Sequence, residues 1–352
     1  MKPEQETLVI LSPGFPGNEA DSTCMPPQQI FVKALRAICP GLEIIVLTFH
    51  YPFYPNEYQW NGVKVLSIGG KDKGRYYRVV TWLKAWRILY KLNKKYQLIG
   101  ILSFWLGECA FVGDKFAKIN RLSHYTWLLG QDAKHGNKYF KWIKPKGDNL
   151  IALSDFVARE VKKNYGILPM QVIPVGIDTS LFNNPPLKRD IDILGAGSLI
   201  PLKQYELFIQ AISHLKEFFP GIKAMICGKG PELERLQLLT NSLGLNDNLI
   251  FAGELPHGEV LALMQRSKVF LHPSKYEGFG AVLSEALYSG AHVVSFCKPM
   301  NKNFRHHYVV KNMEDMNYTL LAILQDHKKD HEPVLTYHVE QVAKSIISLY
   351  AC

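Results

Sequence analysis

The chain has 352 residues, 47% hydrophobic and 20% charged, with a formal net charge of +10. That length predicts two domains rather than one, and the composition is that of a soluble globular protein. Nowhere do about 18 apolar residues run together, which excludes a membrane-spanning helix. The six cysteines (Cys24, Cys39, Cys109, Cys227, Cys297 and Cys352) show no C-x-x-C pair and no metal-ligand spacing, so neither a disulfide framework nor a zinc site is expected.

At the start, a four-residue apolar run follows an acidic MKPEQE. No signal peptide is read there, and a cytoplasmic protein is expected. Leu8-Val-Ile-Leu11 reads as a first strand, and Ser12-Pro-Gly-Phe-Pro-Gly17 as the loop after it. In a doubly wound sheet such a loop lines the ligand cleft, which makes Gly14 a candidate; Gly14 and Gly17 read equally well as ordinary turn glycines between prolines. A helix over residues 27–38 leads to a second strand over 43–48.

Residues 64–96 hold ten Lys and Arg and one acid. From Val79 onward the apolar positions are Val79, Trp82, Leu83, Trp86, Leu89 and Tyr90, a helical spacing that leaves Lys84, Arg87, Lys91, Lys94 and Lys95 on the remaining arc. Two readings stand: a helix packed on the sheet with a solvated lysine face, and a helix facing an anionic membrane surface or another polyanion. Charge divides unevenly along the chain. Residues 1–150 hold 21 Lys and Arg against 11 Asp and Glu, whereas residues 151–352 hold 20 against 20. The basic first half is expected to meet something anionic, though not nucleic acid.

Further strands are read over 96–104, 125–129 and 149–154, with a βαβ rhythm throughout. Residues 183–190, polar and proline-rich, read as a hinge. A strand over 191–194 then opens a second series, followed by Gly195-Ala-Gly-Ser-Leu-Ile-Pro-Leu-Lys203. The Gly195-x-Gly197 pair fails as a dinucleotide fingerprint, because Ile200 takes the third small position and no helix starts before Pro201. Two more strand–loop–helix patterns follow, at Gly228-Lys229-Gly230 and at Leu255-Pro256-His257. Lys229 reads equally well as an exposed turn lysine.

The densest stretch is residues 272–295, HPSKYEGFGAVLSEALYSGAHVVS. A strand closes at His272-Pro273, Gly278 and Gly280 allow a sharp turn around Phe279, and a helix begins at Ala281 and Val282. At the carboxyl end of a parallel strand, such a turn presents free backbone N–H groups to an anion, with phosphate as the natural guest. Glu277 and Glu285 make sense there as acceptors for the hydroxyls of ribose and of a sugar. Either glutamate alone reads as a solvated loop residue or a surface ion pair.

The run Glu277-Gly-Phe-Gly-Ala-Val-Leu-Ser-Glu285, two glutamates seven residues apart after a Pro-Ser, resembles the Glu-x7-Glu signature of retaining glycosyltransferases of family 4. The resemblance implies the α/β GT-B fold, two Rossmann-like parallel-sheet domains facing each other across a cleft. Its boundaries would be an acceptor-side domain at 1–182, a linker at 183–190, a nucleotide-sugar-binding domain at 191–334, and a helix at 335–352 crossing back to the first domain. The implied reaction is retaining transfer of a hexose-type sugar from a nucleotide diphosphate sugar, UDP- or GDP-linked, to a hydroxyl of a glycan or lipid-linked acceptor. A place in bacterial envelope polysaccharide synthesis would follow, at the cytoplasmic side and peripheral to the membrane. The resemblance further implies no cofactor and no metal, with Glu277 and Lys203 as catalytic residues. The donor would be held by Gly14, Ser198, Lys203, Gly228, Lys229, Gly230, Leu255, Pro256, Glu277–Val282 and Glu285.

The chain also departs from the family pattern. Ser198 stands where Arg is usual, and Leu129 where a His is common, leaving Gln131 or Asp132 as the acceptor-side polar contact. Residues 297–307 are basic where a Gly-Gly and a Glu-containing loop are usual. These departures motivate an alternative, a nucleotide-sugar-binding protein without transfer; a GT-B epimerase or phosphorylase is a third reading.

Overall fold

A computed structural model of the chain describes residues 5–74, 76–182, 188–326 and 328–350. The chain divides into two compact units, Met1–Gly176 with Val339–Cys352, and Ile177–His338.

The first unit is built on an eight-stranded sheet. Its elements run β1 (Glu6–Gly14), α1 (Pro26–Ile38), β2 (Glu43–Tyr51), β3 (Asn56–Trp60), β4 (Val63–Ser67), α2 (Tyr76–Lys95), β5 (Gln97–Phe104), α3 (Glu108–Asn120), β6 (Ser123–Leu128), α4 (Lys138–Ile143), β7 (Leu150–Ala152), α5 (Asp155–Tyr165) and β8 (Gln171–Val172). The strand order is β3-β4-β2-β1-β5-β6-β7-β8. Leu8, Val9, Ile10 and Leu11 of β1 expose no surface, as a continuous apolar run must when a central parallel strand is covered on both faces. β1 pairs with β2 on one side and β5 on the other, so the order reverses between β1 and β5.

Three expectations change here. β1 continues to Gly14, which therefore ends a strand rather than sitting in a loop; a Cβ on it would come within 3.3 Å of the Tyr51 Cβ on the neighbouring strand. The βαβ rhythm is broken by an antiparallel hairpin, β3 with β4. Its turn is Asn61-Gly62, both at positive φ (45° and 72°), the pair that a tight hairpin turn favours. In α2 the expected apolar stripe is split. Leu89 is buried and Trp82 and Trp86 are half-buried, but Val79, Leu83 and Tyr90 face outward.

The second unit carries a six-stranded parallel sheet, with β9 (Ile191–Ala196), α6 (Tyr205–Lys216), β10 (Ala224–Cys227), α7 (Leu233–Ser242), β11 (Leu249–Gly253), α8 (His257–Arg266), β12 (Ser267–His272), α9 (Ala281–Tyr288), β13 (His292–Ser295), β14 (His307–Val309) and α10 (Met313–Gln325). The order β11-β10-β9-β12-β13-β14 moves outward from β9 one way, then returns to lay β12 on its other side. That reversal, between β9 and β12, is where open α/β sheets bind ligands. Apolar clusters cover both faces of the sheet, one around Phe208, Ile212 and Ile226 and another around Phe270, Leu283 and Leu287.

The crossing between units differs from the expected boundary at 182. Ile177 already belongs to the second unit, because it bridges in parallel to His338 and its N–H donates to the Tyr337 carbonyl at 2.8 Å. Of the expected hinge, residues 183–187 lie outside the described residues. Its last two residues are anchored: Arg189 donates to the Ser289 carbonyl (2.7 Å), and Asp190 pairs with Arg266 (2.6 Å). The chain returns at Val339 rather than 335 and ends in α11 (Val339–Ile347), part of the first unit. There Tyr350 donates to the Ile101 carbonyl at 2.8 Å, and Leu349 accepts from Tyr125 at 2.9 Å.

Candidate functional site

The site is assembled from loops at the carboxyl edge of the second sheet. After β9 the chain passes through Gly197 (φ 148°) and a short 3-10 turn, Pro201–Lys203. After β10 it passes through Gly228, and the two loops are stitched together: Gly197 N donates to Cys227 O and Leu199 N to Lys229 O, both at 2.9 Å. The glycines make this approach possible. A Cβ on Gly228 would lie 1.9 Å from the Gly197 carbonyl oxygen, and one on Gly230 would lie 2.3 Å from that of Leu199, separations no side chain tolerates. Gly228 N also donates to Gly253 O at 2.7 Å, which fixes the loop that holds Leu255 and Pro256. The loop after β12 joins the same assembly, since Lys275 N donates to Leu202 O at 3.0 Å.

This stitching sets Lys203 against Glu277. Lys203 Nζ and His272 Nε2 both meet Glu277 Oε1, the histidine at 2.7 Å. His272 is the last residue of β12 and almost fully buried. Burial pushes its pKa down in spite of the carboxylate, so it serves as a neutral N–H donor. Burial alone would push the Glu277 carboxyl up, but the His272 hydrogen bond and the Lys203 charge outweigh it and bring the group down to about 2. A fixed carboxylate and a fixed cation therefore stand together where the strand order reverses. Behind them, Cys297 Sγ donates to Ser274 O at 3.1 Å, and burial pushes that thiol up to about 11.

Gly280, at φ 70°, opens α9, and its carbonyl accepts from Leu283 N at 2.8 Å. Gly278 and Phe279 lie in the turn before it, Phe279 buried, while Ala281 and Val282 form the first turn of the helix. Glu285, on the second turn, is 9% exposed and bonds His257 Nε2 at 2.9 Å. Burial lowers the His257 pKa, but the hydrogen bond and charge of Glu285 raise it overall. Each glutamate of the pair is thus gripped by a histidine. Neither His257, the first residue of α8, nor His272 stands out in the sequence. Their only signal is position: one opens a helix after a proline, and the other closes a strand before one.

The other candidates do not touch either glutamate. Lys229 is exposed and paired with Glu254, as a turn lysine would be. Ser198 is exposed on the loop after β9. Gly14, Gln131 and Asp132 belong to the first unit. Asp132 does not present a carboxylate for a ligand: its oxygens accept from the backbone N–H groups of Leu106 (2.8 Å), Gly130 (2.9 Å) and Leu129 (3.4 Å), and it is buried. Gln131 is exposed beside it. Residues 298–304 fold over α9, where Lys298, Met300 and Phe304 line a cavity of about 20 Å³ with Phe279 and Ser284. Among the described residues, no three His, Cys, Asp or Glu side chains converge as metal ligands.

Residues 31–181 match the model of Glycosyltransferase Family 4, and residues 177–334 match that of Glycosyl transferases group 1. The phosphatidylinositol N-acetylglucosaminyltransferase gpi3 subunit of Schizosaccharomyces pombe is 26% identical over 213 residues, 58% of this chain and 47% of that protein. The putative colanic acid biosynthesis glycosyltransferase WcaL of Escherichia coli K12 is 30% identical over 209 residues, 56% of this chain and 50% of that protein. The chain therefore spans half or less of the length of these curated relatives. The crystal structure of Anabaena Alr3699/HepE in complex with UDP and glucose superposes with a TM-score of 0.68 at 15% identity, covering 97% of this chain and 99% of that one.

Proposed function

Because the chain belongs to the group 1 glycosyltransferases and has the GT-B fold, we propose that it is a retaining glycosyltransferase that takes a nucleotide diphosphate sugar as donor. A hexose-type sugar passes to a hydroxyl of a glycan or lipid-linked acceptor, with no metal and no cofactor. The bond from the anomeric carbon to the diphosphate oxygen breaks with its electron pair on the diphosphate. The acceptor oxygen bonds the same carbon on the same face and gives its proton to the departing diphosphate oxygen.

The observation that carries this reading is the meeting of Lys203 and His272 on one oxygen of Glu277, beside the opening of α9. The diphosphate would rest on the amides of Gly278–Ala281 and on Lys203, which stabilises the charge of the leaving group. Glu277 would hold sugar hydroxyls and steady positive charge at the anomeric carbon, while Glu285, held by His257, would accept from the ribose diol. Ser198 adds no charge, so Lys203 and the helix opening carry more of the diphosphate than an arginine would leave to them. Its place is envelope polysaccharide or glycolipid synthesis, at the cytoplasmic side and peripheral to the membrane: what the two relatives are named for supports the synthesis, and the basic first half of the chain supports contact with an anionic surface.

Calorimetric titration with UDP and with GDP, followed by nucleotide release from a panel of nucleotide sugars with a crude glycolipid acceptor, tests the reading. Micromolar binding of one nucleotide and acceptor-dependent release are expected. Binding without turnover under every donor would instead favour the non-transferring reading that Ser198 and Leu129 suggest.

A further inference from the structure

The two sides of α2 have different fates. Thr81, Ala85, Leu89 and Leu92 are buried against the sheet of the first unit. Trp82 and Trp86 fill the margin, their rings 4.9 and 5.2 Å from those of Phe111 and Phe116. Turned away from that core, Tyr76, Val79, Leu83 and Tyr90 expose 78%, 48%, 55% and 50% of their surface. At about 100° per residue these four fall within an arc of roughly 60°. Across roughly the next 100° come Lys94, Arg87, Lys91, Lys84 and Lys95, all exposed. The helix contains no acidic residue. Its remaining cation, Arg78, is already neutralised by Glu108 at 2.5 Å.

An apolar strip lying beside a basic strip, on one open face, has a specific complement. A polyanion in solution would use the cations and leave Val79, Leu83 and Tyr90 in water. A bilayer surface uses both at one depth, with phosphates for the cations and the headgroup boundary for the apolar side chains and the tyrosine. No helix among the described residues is long and apolar enough to cross a membrane, so contact through α2 would lie in the interface plane.

We propose that this face of α2 docks the first unit on an anionic lipid bilayer. Val79, Leu83 and Tyr90 enter the headgroup boundary, and Arg87, Lys91 and Lys84 meet lipid phosphates. The proposal rests on the peripheral location given above but not on the transfer chemistry, because docking requires no donor.

Sedimentation of the full chain with phosphatidylcholine–phosphatidylglycerol vesicles, and with phosphatidylcholine alone, tests it at low and at physiological salt. Binding to the mixed vesicles that weakens with salt is expected. Replacing Lys84, Arg87 and Lys91 by Ser should lower partitioning about 100-fold, from about fivefold per cation. The triple replacement Val79→Ser, Leu83→Ser, Tyr90→Ser should lower it about tenfold. Nucleotide release with a water-soluble acceptor should not change in either. If a multiple variant unfolds by circular dichroism, the single changes Leu83→Ser and Arg87→Ser should each cost several-fold.

Equal partitioning onto neutral vesicles, or none onto mixed ones, overturns the proposal. Binding lost with the cations but untouched by the apolar triple replacement overturns it in favour of a soluble polyanion. A concentration-dependent dimer in velocity sedimentation, abolished by the apolar changes with no vesicles present, overturns it in favour of a second copy of the chain.

Discussion

Both units end their strands in loops that hold buried carboxylates, yet the two edges use them differently. In the first unit Asp132 accepts from three backbone N–H groups and closes its own loop on the one after β5. In the second, Glu277 and Glu285 are held by side chains, Lys203 and His272 for one and His257 for the other. A carboxylate saturated by amides is a staple. One gripped by side chains is aimed and still able to exchange partners. Electrostatics separate them as well: burial lifts Asp132 to about 6 despite the amides, whereas the cation and histidine bring Glu277 to about 2.

The comparison breaks most decisively at Lys203 and Glu277. Lys203→Ala and Glu277→Ala should each lower turnover about 10²- to 10³-fold, Glu277→Ala with little change in nucleotide affinity; wild-type rates in both would make the pair a structural ion pair only. Glu277 also sets a pH dependence. Its depressed pKa contributes stability that is complete above the ordinary value of 4.5 and is lost as pH falls through about 2. The difference in unfolding free energy between wild type and Glu277→Gln should therefore shrink below pH 4.5. Asp132 runs the opposite way: its charged form costs stability above about 6, and the cost is relieved as pH falls from there toward 3.8.

A smaller effect is expected at the second glutamate. Glu285→Ala should weaken UDP or GDP binding by about 10- to 30-fold, the worth of hydrogen bonds to a charged acceptor. His257→Asn should weaken it less and in the same direction, read by calorimetry with turnover at saturating donor preserved. Asp132→Ala should instead leave three buried N–H groups without their acceptor and cost about 2–3 kcal/mol in denaturant unfolding, while turnover per folded molecule stays within twofold. Lys229→Ala is the smallest: an exposed pair predicts a change within about 0.5 kcal/mol in stability and no more than twofold in donor affinity.

What could be read in advance follows from which forces are local. The turn from Glu277 to Glu285 is legible because glycine, proline and helix periodicity act within a few residues, and Lys203 because it follows a strand and a glycine loop. The hairpin of β3 and β4 is equally local, announced by Asn61-Gly62, but the basic stretch read from residue 64 begins inside β4 and takes that strand away from its partner. His257 and His272 are not legible. Each reaches its glutamate only once the loops are stitched, 28 and 5 residues apart in the chain. Gly228 and Gly230 read as neighbours of a donor, but their neighbours are the carbonyls of Gly197 and Leu199, a constraint invisible until two loops meet. The outward apolar strip of α2 escapes for the converse reason, because periodicity finds a stripe but not how wide a sheet can cover it.

Tyr350 has a consequence for the order in which the molecule is made. Its ring lies where a Cβ on Gly100 would be, 2.5 Å away, and Val339, Val342, Ala343 and Ile346 are buried with it in the first unit. Synthesis proceeds from the amino end at roughly 5–20 residues per second, so the second unit, one continuous segment, is complete before α11 exists. The older part of the chain thus waits on the younger. For the time it takes to make residues 177–338, the sheet beside Gly100 stays uncovered, and the first unit to emerge is the last to close.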